Sequence, residues 1–370
     1  MDKRGVSLKR VLISAYLNNN LGDDLFVKVL CERYPQTQFY IYENKEKLSA
    51  FTGIKNLHVI YPNILYKVID KIPNKLFSKS FIRTMLGLTM DAHVYIGGSL
   101  FIEKENWKMK IKKDKAKLLN NKSNFLLGCN FGPYENSGFF ESYQHIFSNY
   151  DDVCFRDNQS YELFKELPNV RLAQDVVFNL DYQAQGIQVE KRVGISLIDV
   201  SNRENLAPFK AAYLQKMKEI CESFINNDYQ VTLFSFCKYE GDEKAIAELL
   251  QVMDDKYKPN IKVVNYENDL DTALAELHKV EIMYATRFHA MILGLLFKKK
   301  VFPIIYSKKM TNVLHDINFE GKYSEIKDIG KLDITELAQV EYRELDMEHI
   351  IKDSNLQFLQ LDKYLLNDWK

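Results

Sequence analysis

The sequence lacks the cysteine patterns of metal sites and of disulfide frameworks. Its 370 residues include five cysteines, and no two of them form a Cys-x-x-Cys pair. The odd count argues against a set of disulfides, and cysteines in apolar runs are usually small core residues. These patterns predict a reduced, cytoplasmic protein without a bound metal ion.

Net charge and long apolar runs are also missing. Lysine and arginine together number 50, as do aspartate and glutamate, so no nucleic-acid partner is expected. No apolar run approaches the ~20 residues that cross a bilayer, and residues 1–5 do not begin a signal peptide. We expect a protein that does not cross a membrane, although it can touch a membrane surface.

Short apolar runs alternate with helical patterns along the chain. A length of 370 residues exceeds what one core usually supports, so two domains are expected. The first series of strand-like runs comprises 10–16, 38–42, 57–60, 92–96, 124–129, 153–156 and 170–178. The second comprises 193–197, 230–236, 261–264, 282–284 and 301–305. The alternation predicts an α/β protein with two Rossmann-like domains, largely parallel sheets and a cleft between the domains.

The predicted helices and linker divide the chain further. Helical patterns cover 25–33, 210–225, 243–254 and 272–278. A polar linker at 181–191 separates an N-terminal domain, 1–185, from a C-terminal domain, 186–335. The segment 336–370 is predicted to be helical and to pack back on the N-terminal domain, because 356–369 is amphipathic.

The segment 281–297 carries the most informative strand end. A strand-like run meets an apolar helical pattern at Arg287 and His289. Such junctions face the ligand crevice in doubly wound sheets, and helix N-termini favour anions. Arginine can hold a carboxylate or phosphate, and histidine can transfer protons near neutral pH. Two structural alternatives stay open: Arg287 forms an ion pair at the domain interface, and His289 caps the helix.

Other strand ends carry small or charged residues. Glycines that let backbone N–H groups approach a ligand are Gly97, Gly98, Gly128 and Gly132. Arg156 and Asp157 end a further strand; the arginine can hold an anion or form a structural pair. Asn20 and Asp23 precede the first helical pattern as candidate caps. Together with Asp157 and the four glycines, they are also candidate substrate-binding residues. For the glycines, an ordinary strand-to-loop turn explains the pattern equally well.

The order of these motifs resembles that of the polysaccharide pyruvyl transferase family. The matching segments are NNNLGDDLF, YIGGS, GCNFGP, CFRDNQS, QDVVF, ATRFHAMILGLLF and VFPIIYSKK. They extend from about residue 11 to residue 309, and TRFHA with its following helix is the most specific. Two positions depart from the family pattern: Val176 stands after Asp175 where proline is usual, and the glycine strand end has cysteine in place of serine.

The resemblance implies a glycosyltransferase-B-like fold and a specific reaction. Such enzymes move the enolpyruvyl unit of phosphoenolpyruvate onto a sugar as a ketal and release phosphate, without a further cofactor. By resemblance, Arg287 and His289 are the phosphoenolpyruvate-binding and catalytic pair. Arg156 is then a second anion clamp and Lys308 a strand-end cation. The C-terminal domain would hold phosphoenolpyruvate and the N-terminal domain the sugar acceptor of a cell-surface polysaccharide precursor.

A lysine-rich segment at 104–122 suggests a membrane contact. It contains eight lysines and Trp107 but only two acidic residues, and Lys71, Lys75, Lys79 and Arg83 precede it. Such a segment gains roughly 1 kcal/mol per cation near an anionic membrane. One hypothesis is therefore a lipid-diphosphate-linked acceptor at the inner face of the cell membrane, and the alternative is a solvated helix face. Two further functions stay open: a nucleotide-sugar-dependent glycosyltransferase and a non-catalytic sugar-binding relative.

Overall fold

The computed structural model of the chain describes residues 8–62, 80–184 and 186–366. The chain divides into two compact units. The first comprises Met1–Leu17, Phe26–Asn179 and His349–Lys370, and the second comprises Asn18–Leu25 and Leu180–Glu348. The chain thus changes units at positions that differ from the expected 185 and 335. The short segment Asn18–Leu25 belongs to the second unit, which the sequence did not suggest.

Seven parallel strands form the sheet of the first unit, in the order β3-β2-β1-β4-β5-β6-β7. They are β1 (Arg10–Ala15), β2 (Gln38–Tyr42), β3 (Leu57–Ile60), β4 (Ala92–Ile96), β5 (Ser123–Cys129), β6 (Asp152–Phe155) and β7 (Val170–Leu172). Every residue of β4 is buried, as expected for a parallel strand that is covered on both faces. The strand order reverses between β1 and β4, and in such sheets ligands bind beyond the carboxyl ends at this switch point.

The second unit has a six-stranded sheet in the order β10-β9-β8-β11-β12-β13, with parallel pairs throughout. Its strands are β8 (Arg192–Ser196), β9 (Gln230–Ser235), β10 (Ile261–Asn265), β11 (Ile282–Ala285), β12 (Lys300–Ile305) and β13 (Ser324–Glu325). Here the strand order reverses between β8 and β11. The two parallel sheets confirm the predicted α/β class with two Rossmann-like parts.

Helices connect the strands in both units. In chain order they are α1 (Leu21–Arg33), α2 (Phe81–Leu88), α3 (Trp107–Lys115), α4 (Ser137–Phe147), α5 (Asn158–Phe164), α6 (Lys210–Asn226), α7 (Asp242–Val252), α8 (Leu270–Lys279), α9 (Phe288–Leu296), α10 (Lys308–Asp316), α11 (Ile334–Ala338), α12 (Met347–Asn355) and α13 (Leu359–Leu366). Short 3-10 turns occur between them.

Each unit has an apolar core of its own. In the first, a cluster of aromatic rings packs between the sheet and α4; the Phe131 and Phe164 rings lie 4.8 Å apart, edge to face. In the second, α6 covers β8 and β9 with Tyr213, Met217 and Ile220. All five cysteines are buried, as their apolar surroundings predicted.

The last residues of the chain attach to the first unit through a buried amide. Gln357 accepts a hydrogen bond from the Gly128 N–H at 2.9 Å. Its amide nitrogen donates to the carbonyls of Phe155 and Ala173 at 3.2 and 2.9 Å. These bonds tie the segment before α13 to the ends of β5, β6 and β7. The predicted helix at 356–369 is a 3-10 turn followed by α13, and its residues 367–369 lie outside the described residues.

Two of the predicted elements need correction. The strand expected over 170–178 ends at Leu172, and Val176–Asn179 forms a buried 3-10 turn. Asp175 causes the break, because its carboxylate accepts the Val177 N–H at 2.8 Å and also pairs with Arg156. The helix expected from residue 25 begins at Leu21. No helix within the described parts of the chain is long and apolar enough to span a membrane.

Candidate active site

At the switch point of the second unit, a buried serine hydroxyl connects the carboxyl ends of β8 and β11. Ser196, the last residue of β8, accepts hydrogen bonds through Oγ from the N–H groups of Thr286 and Arg287, at 3.0 and 3.1 Å. The Thr286 hydroxyl lies 3.1 Å from the Tyr213 hydroxyl of α6. These bonds fix the turn between β11 and α9, at the junction that the sequence predicted.

Arg287 is buried and held by two carboxylates. Its Nε donates to Asp242 Oδ2 at 2.9 Å, Nη2 donates to Asp242 Oδ1, and Nη1 donates to Glu240. Burial opposes the charge of Arg287, but Asp242 and Glu240 outweigh it and raise its pKa well above the ordinary value. These bonds use three of the five guanidinium N–H groups. Two N–H groups therefore stay available for an anionic ligand.

Asp242 orients the guanidinium and is itself held in place. It is fully buried, and its Oδ2 accepts the N–H groups of Phe236 and Cys237 at 2.9 and 3.0 Å. Burial raises the pKa of this carboxyl, although Arg287 and the two N–H groups act in the opposite direction. The ion-pair alternative for Arg287 is thus observed, but its partners lie within the second unit.

Two further cations lie beside Arg287, around the half-buried ring of Tyr306. The Arg203 guanidinium lies 4.7 Å from the ring centroid and 3.6 Å from the Glu240 carboxylate. The Lys309 ammonium lies 5.2 Å from the same centroid. Burial would raise the pKa of Tyr306, but Lys309, Arg287 and Arg203 outweigh burial and lower it. Three cations and two carboxylates leave an excess of positive charge, which favours an anionic ligand.

The structure places Lys309, and not Lys308, at this cluster. Lys308 is the first residue of α10 and is exposed. Lys309 follows it, with its ammonium 5.4 Å from the Phe288 ring as well as close to Tyr306. The sequence shows two adjacent lysines after β12. Which of them lies near the cluster depends on where α10 begins, and that could not be read from the sequence. The role predicted for Lys308 stays a prediction, and Lys309 is the neighbouring lysine that lies at this cluster.

His289 packs against the backbone of Gly22. It is the second residue of α9 and is 9% exposed, with its ring 5.1 Å from the Phe288 ring. A Cβ atom at Gly22 would lie 1.7 Å from His289 Nδ1. Only glycine therefore allows the imidazole to occupy this position. No local sequence pattern indicated this contact, because residue 22 was expected to lie in the loop before the first helix.

The segment that carries Gly22 is bonded into the second unit. Asn20 forms a β-bridge with Cys237, and the Leu21 N–H donates to the Phe236 carbonyl at 3.0 Å. Asn20 Oδ1 accepts the Gly22 N–H at 3.1 Å, which confirms the capping role considered for it. Asp23 lies in the first turn of α1 and is half-buried.

Asp24 is a buried carboxyl that the sequence did not identify. It is 1% exposed, and the Tyr266 hydroxyl donates to its Oδ2 at 2.6 Å. Burial raises the pKa of Asp24 to about 8, against the effect of the bond from Tyr266. The carboxyl is therefore mostly protonated at neutral pH. It lies two residues after Gly22, on the same first turn of α1.

The other predicted site residues lie in the first unit, around Arg156. This arginine is 2% exposed and donates to Asp175 at 2.8 Å and to Asn130 at 2.7 Å. Gly98 makes room for it, because a Cβ atom there would lie 2.6 Å from Arg156 Nη1. Asp157 caps α5 by accepting the Ser160 N–H at 2.9 Å. The predicted role of Arg156 as an anion clamp stays a prediction.

The remaining glycines have N–H groups that bond to the protein itself. The N–H groups of Gly97, Gly128 and Gly132 donate to the Leu127 carbonyl, to Gln357 and to the Phe101 carbonyl. At Gly128 the backbone has φ of +74°, and a Cβ atom would lie 2.6 Å from the Phe26 ring. Close packing thus accounts for Gly128 without a ligand. Among the described residues, no group of three or more His, Cys, Asp or Glu side chains is placed to hold a metal ion.

Solved structures of the same fold define the class of this protein. It is similar to the UDP-GlcNAc 2-epimerase from Neisseria meningitidis bound to UDP-GlcNAc, with a TM-score of 0.60, 10% identity, and coverage of 97% of this chain and 100% of that one. It is also similar to Anabaena Alr3699/HepE in complex with UDP and glucose, with a TM-score of 0.55, 11% identity, and coverage of 97% and 99%. At these identities the likeness shows the fold alone, a glycosyltransferase-B-like pair of Rossmann-like units.

The sequence narrows this class to one family. The family model for polysaccharide pyruvyl transferase matches residues 20–308. Because the match covers more than half of the chain, the chain belongs to the polysaccharide pyruvyl transferase family. It is also 22% identical over 269 residues to the amylovoran biosynthesis protein AmsJ of Erwinia amylovora. That alignment spans 65% of this chain and 62% of the relative, so the chain matches less than two thirds of that protein.

Proposed function

We propose that this protein transfers the enolpyruvyl unit of phosphoenolpyruvate to a sugar of a cell-surface polysaccharide precursor, with release of phosphate. The observation that carries the proposal is the excess of positive charge from Arg203, Arg287 and Lys309 at the switch point of the second unit. Membership of the family supports it. Phosphoenolpyruvate carries a phosphate and a carboxylate, so its binding needs more than one cationic group.

The reaction requires proton transfer and stabilisation of a leaving phosphate. The methylene carbon of phosphoenolpyruvate gains a proton, and a sugar hydroxyl adds to C2. Phosphate then leaves, and a second hydroxyl of the sugar adds to the same carbon, which closes the ketal. Arg287 and Lys309 would hold the phosphate and stabilise its negative charge as it departs. Phosphoenolpyruvate is a substrate here, and no other cofactor enters this proposal.

His289 is the group proposed to transfer protons. It lies two residues from Arg287 at the start of α9, and Gly22 and Phe288 fix the position of its imidazole. Replacing His289 with Ala should slow phosphate release from phosphoenolpyruvate by ~10²–10⁴-fold, the usual contribution of a general acid or base. The matched control is His315→Ala, because the His315 side chain is 92% exposed on α10. Near-wild-type turnover in a folded His289→Ala variant would contradict the assignment.

A nucleotide-sugar donor is the competing function, because a cationic cluster can equally neutralise a diphosphate. The two donors can be distinguished by thermal unfolding of the full chain. A ligand that binds only the folded state raises the unfolding temperature as its concentration rises. We expect phosphoenolpyruvate to do so, and Lys309→Gln to reduce the effect. A shift with UDP-sugars and none with phosphoenolpyruvate would favour the glycosyltransferase.

We also propose that the first unit binds the surface of an anionic membrane, at the cytoplasmic face. Helix α2 exposes Phe81, Met85 and Leu88 by 46%, 48% and 68%, at a spacing that places them on one helix face. Gly87 of α2 adjoins Leu119, shortly after the lysine-rich helix α3. An apolar face beside lysines is typical of helices that lie in a membrane interface.

We expect only part of the lysine-rich segment to serve this contact. Trp107 is half-buried, with its ring 5.9 Å from the Phe139 ring, and Lys110 and Lys117 pair with Asp114. The six other lysines of the segment are exposed: Lys104, Lys108, Lys112, Lys113, Lys115 and Lys122. Of the earlier cations in the sequence, Lys71, Lys75 and Lys79 lie outside the described residues.

Vesicle sedimentation tests the membrane proposal. The protein should sediment with phosphatidylglycerol vesicles more than with phosphatidylcholine vesicles, and added salt should weaken the binding. Leu88→Ser should reduce the bound fraction. Val252→Ser is the control, because Val252 is 49% exposed in the second unit. Equal binding to both kinds of vesicle, or none, would reject the proposal.

A further inference from the structure

A second group of cations, partly exposed, lies in the first unit and includes Arg83 of α2 and Lys117, which follows α3. Arg83 of α2 is half-buried, and its Nη1 donates to the Lys117 carbonyl at 3.2 Å. Its Nη2 donates to the Ser14 hydroxyl at 2.7 Å and lies 3.1 Å from His93 Nε2. These partners are all uncharged. Among the described residues, no carboxylate lies within ion-pair distance of the Arg83 guanidinium.

The Asp114 carboxylate, which pairs with Lys117, is shared by several groups. It is 2% exposed, pairs with Lys110, and accepts hydrogen bonds from Lys117 Nζ at 2.8 Å and from the Tyr143 hydroxyl at 2.6 Å. Lys117 Nζ also donates to the Tyr95 hydroxyl at 2.6 Å. Among the described residues, this cluster therefore contains the three cations Arg83, Lys110 and Lys117 and the single carboxylate of Asp114, an excess of two positive charges.

The histidine in the cluster adds no charge of its own. Burial and the nearby charges of Arg83 and Lys117 hold the pKa of His93 well below its ordinary value. Burial also lowers the pKa of Lys117 to about 8, in spite of the attraction of Asp114. Arginine stays protonated in proteins, so the excess charge persists at neutral pH. Buried charges are normally paired, because leaving them unpaired costs several kcal/mol.

The position of this cluster is that of a ligand site. Ser14 of β1 pairs with Tyr95 of β4, and each is the residue before the last one of its strand. The strand order of the first sheet reverses between these two strands. Ligands of open α/β sheets bind beside such ends. The side chains also reach solvent: Ser14 is half-buried, and the Lys117 and Lys110 side chains are 27% and 29% exposed. An anion can therefore approach them from outside.

We propose that Arg83, Lys117 and Ser14 form a binding site for a phosphate or diphosphate group in the first unit. The contacts described above use at most three of the five N–H groups of Arg83, and the Lys117 ammonium lies beside it. A phosphate dianion matches the excess of two positive charges. Resting on the proposed function, the site would hold the phosphate of the carrier to which the acceptor sugar is attached. The carrier is then either a polyprenyl diphosphate or a nucleoside diphosphate.

The test is calorimetric titration of the full chain with inorganic pyrophosphate. Arg83→Gln and Lys117→Met should each weaken one pyrophosphate site by tenfold or more. Lys55→Gln should leave binding unchanged, because Lys55 is an exposed lysine of the same unit outside the cluster. Lys309→Gln separates this site from the cationic cluster of the second unit. Binding lost in Lys309→Gln but fully retained in Arg83→Gln would overturn the proposal.

Two controls keep the outcome interpretable. If this excess of cations served no ligand, removing one would raise the unfolding temperature and leave pyrophosphate binding unchanged. A variant that is more stable but binds less pyrophosphate supports a binding site. Arg83→Lys, which keeps the charge and loses the planar fork, should bind with intermediate affinity.

A second titration identifies the carrier and separates this proposal from the proposed function. Farnesyl diphosphate and uridine diphosphate should each compete with pyrophosphate at the Arg83 site, and the tighter ligand indicates the type of carrier. If neither competes, the site does not serve a carrier and the proposal fails. If the protein transfers no pyruvate to any acceptor while Arg83→Gln still loses pyrophosphate binding, the proposed function fails and this site stands.

Discussion

Arg156 and Arg287 are both buried arginines at strand exits, yet their surroundings differ in charge. Arg156 pairs with the Asp175 carboxylate and donates to the Asn130 amide, so a buried negative charge offsets its positive charge. Arg287 has two carboxylates, but Arg203 and Lys309 lie close by and restore a positive excess. An arginine after a strand is therefore not by itself a sign of an anion site. The sum of the charges around a buried arginine distinguishes a structural ion pair from a candidate anion-binding site.

The largest expected effect comes from breaking the ion pair of Arg156 with Asp175. Arg156→Met leaves Asp175 buried without its cation, so the free energy of unfolding should fall by ~3–5 kcal/mol. Urea denaturation of the purified variant measures it. Arg156→Met with Asp175→Asn removes the stranded charge and should recover most of the loss. A single variant as stable as the wild type would show that Arg156 is not a structural residue. Transfer assays on the double variant then test whether Arg156 also binds substrate.

Most strands were predicted because parallel strands that are covered on both faces have continuous apolar sequences. Runs such as 92–96 and 282–284 match β4 and the first three residues of β11. The start of α1 was not predictable in this way. Gly22 and two aspartates read as a loop, and the helix begins there because Asn20 and Leu21 bond to Cys237 and Phe236. Contacts over more than 200 residues have no local pattern.

The sequence predicted only part of the candidate site. Arg287 and His289 form a local motif at a strand end, which a sequence can show. Asp242 and Glu240, which hold the guanidinium, lie 45 and 47 residues earlier and carry no motif. Gly22 meets His289 from a different part of the chain. Sequence therefore identified the candidate residues Arg287 and His289, while the residues that hold them in place appeared only in the fold.

The next largest expected effect is a loss of turnover when the position of the His289 imidazole is disturbed. Gly22→Ala places a methyl group where the His289 imidazole lies, so turnover should fall by about 10²-fold, towards that of a variant without the histidine. Alanine favours the helix by about 1 kcal/mol, so the fold itself should tolerate the change. Steady-state kinetics with a parallel unfolding curve measure both quantities. Gly53→Ala is the control, since a Cβ atom there meets nothing within 4 Å. Unchanged turnover in Gly22→Ala would show that the imidazole position is not critical.

A smaller effect distinguishes the two adjacent lysines beside Arg287. Lys309→Gln should raise the KM for phosphoenolpyruvate about tenfold, equivalent to 1.4 kcal/mol of lost binding. Lys308→Gln should change it little, because that side chain is exposed. The Tyr306 phenol provides a second measurement: without Lys309 its pKa should rise, which ultraviolet titration of the tyrosines can detect. A larger rise in KM for Lys308→Gln than for Lys309→Gln would contradict the assignment of Lys309 to the cationic cluster around Arg287. It would thereby weaken the contrast with Arg156.

The last prediction concerns the pH dependence of stability and the buried carboxyl of Asp24. Burial raises the pKa of Asp24 to about 8, whereas the unfolded chain should have the ordinary value of about 4. Between these values the folded protein binds a proton that the unfolded chain has released. Stability from this group is thus complete below pH ~4 and declines by up to ~1.4 kcal/mol per pH unit towards pH ~8. Asp24→Asn cannot release this proton, so its stability relative to the wild type should increase over this range. Parallel curves of unfolding free energy against pH would show that Asp24 is ionised in the folded state. Asp24 would then be a further buried negative charge in the second unit. It would offset part of the positive charge that distinguishes the surroundings of Arg287 from those of Arg156.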